Sequence, residues 1–189
     1  MIDDGQLGTV TYCRVRNAHS GSIDNWLPEH FYSKEQCGGG AMMDLGAHPM
    51  YMLLWLMGEP EAVVSTFTSV TDKPVEDNAV TVMNFANGAI GVSETGFVSR
   101  YNNFVLEVSG TDGAVRVIDG IVQYAAKATE GKWVTAEKLP EIPNPLTQWV
   151  DDVTQGIPAV EFGVDEAVRL TKLMEAAYKA SDENIRAAY

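Results

Sequence analysis

The sequence predicts an α+β fold in which a large, mostly antiparallel but mixed β-sheet carries about three helices on one face. The central part of the chain is rich in β-branched residues that alternate with polar ones, and Gly, Asn and Asp turns interrupt it, as between antiparallel strands. Helical periodicity is confined to the segment before this part and to the C-terminal region. At 189 residues the chain is long enough for one domain with a sizeable core, so we expect a single domain over residues 1–189.

Composition and charge exclude several classes of partner. The chain has 13 basic and 26 acidic residues and a net charge of −13, which repels nucleic acid and anionic membranes. Its longest apolar run, residues 50–57, is far shorter than the roughly 20 residues that span a bilayer. The N-terminal residues show no signal-peptide pattern. We therefore expect a cytoplasmic protein that binds neither nucleic acid nor membrane.

The two cysteines, Cys13 and Cys37, are far apart and form no CxxC pair. This spacing indicates free thiols rather than a disulfide framework or a thiolate metal site.

The first elements are a turn over residues 5–8, a strand over residues 9–16 and a polar loop over residues 17–36. Loops on a rigid scaffold often carry binding groups, so this loop is a candidate cover for a site. In the alternative interpretation, Trp26 and Phe31 only seal the edge of the core.

The central part predicts an antiparallel meander, and the sheet is expected to have about six to eight strands. Its strands cover residues 62–70, 78–86, 89–98, 103–109, 114–118, 121–126 and 132–136, and Asn87-Gly88 is a strong hairpin signal. Apolar residues point to both faces, as when Val105 opposes Leu106. The second face is therefore expected to be covered by another subunit or domain, which favours a homo-oligomer. Alternatively, valine and threonine satisfy only strand propensity on a wet face.

The C-terminal region predicts two helices that lie on the sheet. Asn144 is a candidate cap with Pro145 in the first position, and this helix runs to Gln155 with Trp149 and Val153 on its apolar side. Gly163 precedes a longer final helix with apolar residues at helical spacing.

Residues 37–58 contain the highest density of candidate functional residues. Three glycines open this stretch, and Asp44 and His48 follow four residues apart, which places them on one helix face. Pro49 removes one helical hydrogen bond, so we expect the helix to bend or restart at His48 and to tip this turn toward a cleft. In the alternative interpretation, Asp44 caps a helix and His48 packs in the core. A zinc site formed with His19 or His30 is a further alternative, but no known ligand spacing unites these residues.

The order of these motifs resembles a known family. A strand with G-x-x-G-x-V, an aromatic-containing loop, GGG-x-x-x-D-x-G-x-H on a helix, and a meander with F-x-N-G-A and G-T-x-G are similar to the C-terminal domain of the glucose-fructose oxidoreductase, inositol dehydrogenase and MocA family. The resemblance extends from Gly5 to the last helix. It implies the substrate-binding and oligomerisation domain of an NAD(P)-dependent oxidoreductase that acts on a sugar, polyol or related hydroxy compound. The alternative is a stand-alone sugar-binding or dimerisation module without catalysis.

The resemblance also implies what the chain lacks. Family members carry an N-terminal Rossmann domain and an E-K-P lysine beside the sugar, and neither motif occurs here. We therefore expect NAD or NADP to be bound mainly by the missing domain, and no cofactor or metal for this chain alone. Residues 38–40 then serve as backbone clearance rather than as a phosphate loop.

The resemblance places Asp44 and His48 at the sugar, and either His48 or the absent lysine is the base. Arg16, Asn17 and Trp26 are the candidate substrate contacts, because they lie where the first strand and its loop would reach the site and a sugar ring prefers an aromatic face with polar donors. Of Arg14 and Arg16, at most one is expected to face the cleft. The acidic loop over residues 72–77 is interpreted as solvated and without chemistry.

Overall fold

The computed structural model describes residues 1–139, 141–156 and 163–189. It contains a nine-stranded sheet and helices of very different length. The strands are β1 (Val10–Ala18), β2 (Ala62–Thr68), β3 (Asn78–Asn84), β4 (Ile90–Gly96), β5 (Phe104–Gly110), β6 (Gly113–Ile118), β7 (Ile121–Ala126), β8 (Val134–Thr135) and β9 (Ala187–Ala188). The helices are α1 (Lys34–Cys37), α2 (Ala41–Asp44), α3 (Ala47–Met57), α4 (Pro145–Gln155) and α5 (Val164–Asp182), with 3₁₀ turns at Glu29–Tyr32 and Lys127–Thr129.

The strand order is β8-β7-β6-β5-β1-β4-β3-β2-β9. β1 lies in the middle, parallel to β4 and antiparallel to β5, and the other neighbouring pairs are antiparallel. This confirms the predicted α+β class and the mixed, mostly antiparallel sheet. The prediction of an uninterrupted meander was wrong, because β1 lies between β4 and β5 in the sheet.

The core lies between one face of the sheet and the helices α3 and α5, which contact β1, β4 and β2. Met50, Leu53 and Leu173 from the helices and Val15 and Met83 from the strands are fully buried there. Burial of this apolar surface is the main stabilising contribution, at about 25 cal/mol per Å². The preceding α2 contacts α3, β3 and β4, so this core also supports it.

The opposite side of the sheet, here called the open face, is uncovered in the described chain. Val82 is 36% and Val64 46% exposed, and Val80 and Ile90 are exposed beside them. In the register, Val64, Val82, Val92 and Arg14 form one row across β2, β3, β4 and β1. Apolar groups therefore occupy both faces, as the alternation predicted.

Helix α4 has the predicted bounds, and the Asn144 side chain caps it by accepting from the Leu146 N–H at 2.9 Å. The expectation that its apolar side lies on the sheet was wrong, because Trp149 is 59% and Val153 67% exposed. Helical periodicity identifies the apolar side of a helix but not the surface that covers it. Among the described residues, no helix has the length and apolar character needed to cross a membrane.

Candidate functional site

Asp44 and His48 lie on either side of an interruption between two helices. Asp44 is the last residue of α2 and His48 the second residue of α3, while Leu45 and Gly46 keep right-handed helical backbone angles between them. Both side chains are exposed. The alternative in which His48 packs in the core is therefore wrong, and both groups are open to a ligand.

Pro49 accounts for this interruption. It has no N–H to donate to the Leu45 carbonyl, and that carbonyl instead accepts from the His48 N–H at 3.2 Å. The Gly46 N–H donates one residue further back than in a regular α-helix, to the Ala41 carbonyl at 3.0 Å. The predicted restart is thus present, at Ala47 rather than at His48.

Asn17, near the C-terminal end of β1, lies on the side of the sheet that the helices cover. Cys13 and Val15 are buried under the helices, and side chains alternate along a strand, so Asn17 also points to the helical side. Its register partner in β4, Thr95, donates its hydroxyl to the Ala41 carbonyl of α2 at 3.3 Å. Asn17 therefore lies near the start of α2.

The two arginines of β1 lie on the open face instead. Arg14 donates to Glu94 at 2.7 Å and to Glu107 at 3.0 Å. Arg16 donates to the same Glu94 at 3.2 Å and also to Ser99 and the Asn102 carbonyl. At most one of the two arginines was expected to face the cleft, and in the structure neither does, because residues two apart in a strand share a face. Arg16 is thus not brought together with Asp44, His48 and Asn17.

His19 joins the site from the loop after β1. Its Nδ1 accepts from the Gly21 N–H at 3.0 Å, so the neutral ring carries its proton on Nε2 and presents a donor. Burial lowers the pKa of His19, and the nearby Asp44 carboxylate offsets part of that shift. His19 is therefore a neutral hydrogen-bond donor close to Asp44 at pH 7.

Two aromatic rings hold this imidazole. The ring centroid of Trp26 lies 4.6 Å from it and that of Phe97 4.9 Å. Trp26 itself is 55% exposed and does not seal the core, so its ring is available to a sugar. The structure thus places Trp26 and His19 side by side on the loop that was predicted to cover a site.

A small cavity of about 210 Å³ opens beside Asp44. Its lining also includes Phe31, Cys37, Gly39, Gly40 and Met43. The candidate site thus consists of the cavity, the exposed Asp44 and His48, and the aromatic loop.

The glycine-rich turn is filled by the loop that was interpreted as solvated. The Glu76 carboxylate accepts from the Gly40 N–H at 2.9 Å and from the Met42 N–H at 3.0 Å, and the Glu76 carbonyl accepts from the Ala41 N–H at 2.8 Å. These N–H groups are therefore not free for a phosphate, and a carboxylate stands where the phosphate of a dinucleotide would lie. The described residues do not fit a dinucleotide at this turn.

The same loop contains a fully buried carboxylate. Asp77 accepts from the backbone N–H groups of Val70 and Thr71, both at 2.8 Å, and from the Thr71 hydroxyl at 2.6 Å. The interpretation of residues 72–77 as solvated was wrong for Glu76, which binds the beginning of α2, and for Asp77, which binds the two residues just before the loop.

A model of the GFO/IDH/MocA C-terminal domain matches residues 1–116, which is more than half of the chain. This chain belongs to the Gfo/Idh/MocA family. Levoglucosan dehydrogenase of Pseudarthrobacter phenanthrenivorans is 26% identical to it, in a match that covers 60% of this chain and 36% of the relative.

Solved members of the Gfo/Idh/MocA family share the fold. Aldose-aldose oxidoreductase from Caulobacter crescentus, complexed with glycerol, has a TM-score of 0.85 and 21% identity over 100% of this chain and 58% of its own. Levoglucosan dehydrogenase in complex with NADH and L-sorbose has a TM-score of 0.85 and 18% identity, and the match covers 99% of this chain and 61% of that protein. GenD2 from gentamicin A biosynthesis, in complex with NAD, has a TM-score of 0.79 and 28% identity, and the match covers 99% of this chain and 57% of that protein. The chain thus spans less than two thirds of each relative.

Two residues of this Gfo/Idh/MocA domain were missed in the sequence interpretation. Glu76 was not identified as a contact of the glycine-rich turn, and His19 was considered near Asp44 only as a possible zinc ligand. The histidine in the aromatic loop was a usable signal, but the contact of Glu76 joins residues 36 apart and leaves no local pattern. In the part of the chain that the structure describes, no cluster of three or more His, Cys, Asp or Glu could hold a metal ion.

Proposed function

We propose that this chain is the substrate-binding domain of an NAD(P)-dependent oxidoreductase that oxidises a secondary alcohol of a sugar or polyol. A separate Rossmann domain of the same enzyme binds the nucleotide. The observation that carries the proposal is the exposed Asp44, which lines the 210 Å³ cavity, together with the exposed His48 four residues later and the loop of His19 and Trp26. Relatives whose solved complexes contain NADH with L-sorbose, or glycerol, support the class of substrate.

When bound, the oxidised nicotinamide of the complete enzyme would supply the acceptor for the hydride that leaves the carbinol carbon. The residues of this chain bind the hydroxyl groups and remove the hydroxyl proton. A neutral imidazole can accept a proton on a ring nitrogen and His48 is exposed, so we assign His48 as the acceptor or relay of this proton. Asp44 accepts a hydrogen bond from a neighbouring substrate hydroxyl. Whether a lysine of the Rossmann domain shares the role of the base is an outcome of the kinetic test below.

The remaining contacts orient the sugar. His19 presents Nε2–H as a donor because Gly21 occupies Nδ1, and Asn17 offers both an amide donor and an acceptor on the same side of the sheet. The exposed Trp26 ring provides a flat apolar surface for the C–H face of the ring. Arg16 has no role in this scheme, because it lies on the open face with Glu94.

The open face is proposed as the contact with a second copy of the chain. Its exposed valines form a row on central strands, next to the charged group of Arg14, Arg16 and Glu94. A face that carries both apolar and paired charged groups is typical of an interface. We also propose that the enzyme is cytoplasmic, since the free thiols of Cys13 and Cys37 would remain reduced there.

The test is nicotinamide reduction by the complete enzyme, in which this chain is joined to a Rossmann domain. We expect saturable NAD(P)H formation with sugars or polyols, and a loss of kcat of about 100- to 10,000-fold in His48→Ala. Lys132→Ala is the control, because Lys132 is 78% exposed and follows β7 near the edge of the sheet, outside the candidate site. Retention of activity in His48→Ala assigns the proton to another base and contradicts the role of His48.

A second result would contradict catalysis as a whole. Saturable polyol binding by the protein, with no nicotinamide reduction by the complete enzyme, would favour a non-catalytic sugar-binding module. Isothermal titration with a polyol and the reduction assay on one preparation separate these two functions.

A further inference from the structure

The side chain and the backbone carbonyl of Glu76 both accept hydrogen bonds from N–H groups at the beginning of α2. Its Oε1 accepts from Gly40 and Met42, and its carbonyl oxygen accepts from the intervening Ala41. Three consecutive N–H groups that have no partner within the helix are thus satisfied by one residue. A carboxylate at this position is also favoured by the helix dipole.

Helix α2 depends on these contacts for its direction. It has only four residues, and a helix this short is not stable without tertiary contacts. Asp44 is its last residue, so any rotation at the beginning of α2 displaces the Asp44 carboxylate. The Thr95 hydroxyl, which donates to the Ala41 carbonyl, holds the same turn from the sheet.

Tyr178 connects this arrangement to the last helix. Its hydroxyl donates to Glu76 Oε1 at 2.6 Å, across 102 residues of sequence. Burial and the hydrogen bond to Glu76 raise the pKa of Tyr178, so the group remains a neutral phenol that can donate. The edge contact with Phe67 in β2, at 5.2 Å between ring centroids, fixes the ring.

Two glycines give the space that this network needs. A Cβ atom at Gly39 would overlap the Tyr178 hydroxyl, and a Cβ atom at Gly40 would overlap the Glu76 carbonyl. The glycine-rich turn is thus shaped around Glu76 and Tyr178 and not around a bound phosphate.

From these contacts we infer that Glu76 and Tyr178 are positioning residues, which hold α2 so that Asp44 meets the substrate. The inference rests on the proposed function. Misplacement of a substrate-orienting group by about 1 Å costs up to about 100-fold in rate. Loss of the Glu76 side chain is therefore expected to act through Asp44, although Glu76 does not touch the substrate.

The experiment is a double-mutant cycle in the complete enzyme. We expect Glu76→Ala to lower kcat/KM about 10- to 100-fold and Tyr178→Phe about 3- to 10-fold, with unchanged affinity for NADH measured by fluorescence titration. In an Asp44→Ala background, Glu76→Ala is expected to cause less than about a two-fold further loss, because Asp44 is no longer there to be positioned. Glu76→Gln keeps an acceptor oxygen and should restore most of the activity.

The control variants are Glu61→Ala and Tyr101→Phe. Glu61 is an exposed glutamate at the other end of the domain, and Tyr101 is 83% exposed. If Glu76→Ala lowers activity by the same factor in both backgrounds, Glu76 acts on folding or on another group, and the inference is overturned. An inactive wild-type enzyme overturns the proposed function and with it the inference. An active wild type with equal losses overturns only the inference.

Discussion

The imidazole of His19 lies almost parallel to the ring of Phe97, with 6° between the planes and 4.9 Å between the centroids. The ring of Trp26 contacts the same imidazole at 4.6 Å. This aromatic enclosure removes water from His19, which is why burial outweighs the nearby Asp44 and lowers the pKa of His19. A neutral imidazole next to a carboxylate is thus a property of the packing around it.

The lowered pKa of His19 predicts a stability that falls in acid. The unfolded chain takes up a proton on His19 near pH 6.5, whereas the folded chain takes it up only at lower pH, so acidification below about 6.5 favours unfolding. We expect His19→Gln to weaken the loss of unfolding free energy between about pH 7.5 and about pH 5, as measured by denaturant titration. His30→Gln, at an exposed position, should keep the slope of the wild type. Equal slopes in wild type and His19→Gln would contradict this prediction.

A second pH dependence comes from Glu94 on the open face. Burial disfavours its charge, but the hydrogen bonds and charges of Arg14 and Arg16 outweigh burial and lower the pKa of Glu94. Its contribution to stability is therefore present above about pH 4.5 and is lost as the pH falls below that value.

We expect Glu94→Gln to lower the free energy of unfolding by about 1 kcal/mol at pH 7, and the difference from wild type to shrink in acid. Denaturant titrations at neutral and acidic pH measure both effects. Glu130→Gln is the control, because Glu130 forms an ion pair with Lys132 but is 81% exposed. A difference that persists unchanged in acid would show that shape, and not charge, explains the effect.

The glycine-rich turn predicts a large effect of one added methyl group. In Gly40→Ala the new Cβ atom would overlap the Glu76 carbonyl, which is backbone and cannot move aside without shifting β3. We expect a loss of at least about 2 kcal/mol in the free energy of unfolding. Gly120→Ala is the comparison, since Gly120 has a φ of +76° but no atom near its Cβ position, and its cost should be about 1 kcal/mol. Equal losses at both positions would show that the space around Gly40 adapts.

The sequence predicted the strands closely because alternation and turns are local signals. The predicted ends of the strands over residues 78–86, 114–118 and 121–126 lie within two residues of those of β3, β6 and β7. The insertion of β1 between β4 and β5 was not predictable in the same way, because no local pattern encodes which strands become neighbours. The break before Ala47 was predictable from Pro49, whose missing N–H acts within one helical turn.

In the candidate site, too, the sequence predicted the local features but not the long-range contacts. The exposure of Asp44 and His48 agreed with a local motif, whereas the contact of Glu76 with Gly40 and Tyr178 depends on the folded sheet. Carboxylates in an acidic loop look alike in a sequence, and only the structure distinguishes Glu76 and Asp77 from the exposed Asp72.

The open face predicts that one charge will dissociate the oligomer. Val82 lies on the interior strand β3, is 36% exposed and has Val64, Val80 and Val92 as neighbours. In Val82→Glu a symmetric interface would bury an unpaired carboxylate from each copy, at a cost of several kcal/mol. We expect light scattering to report a halved mass for Val82→Glu and the wild-type mass for Val70→Glu, whose valine is 63% exposed in the loop after β2. If the masses of wild type and Val82→Glu are equal, the open face is not the contact between copies, and another domain or solvent must cover these valines.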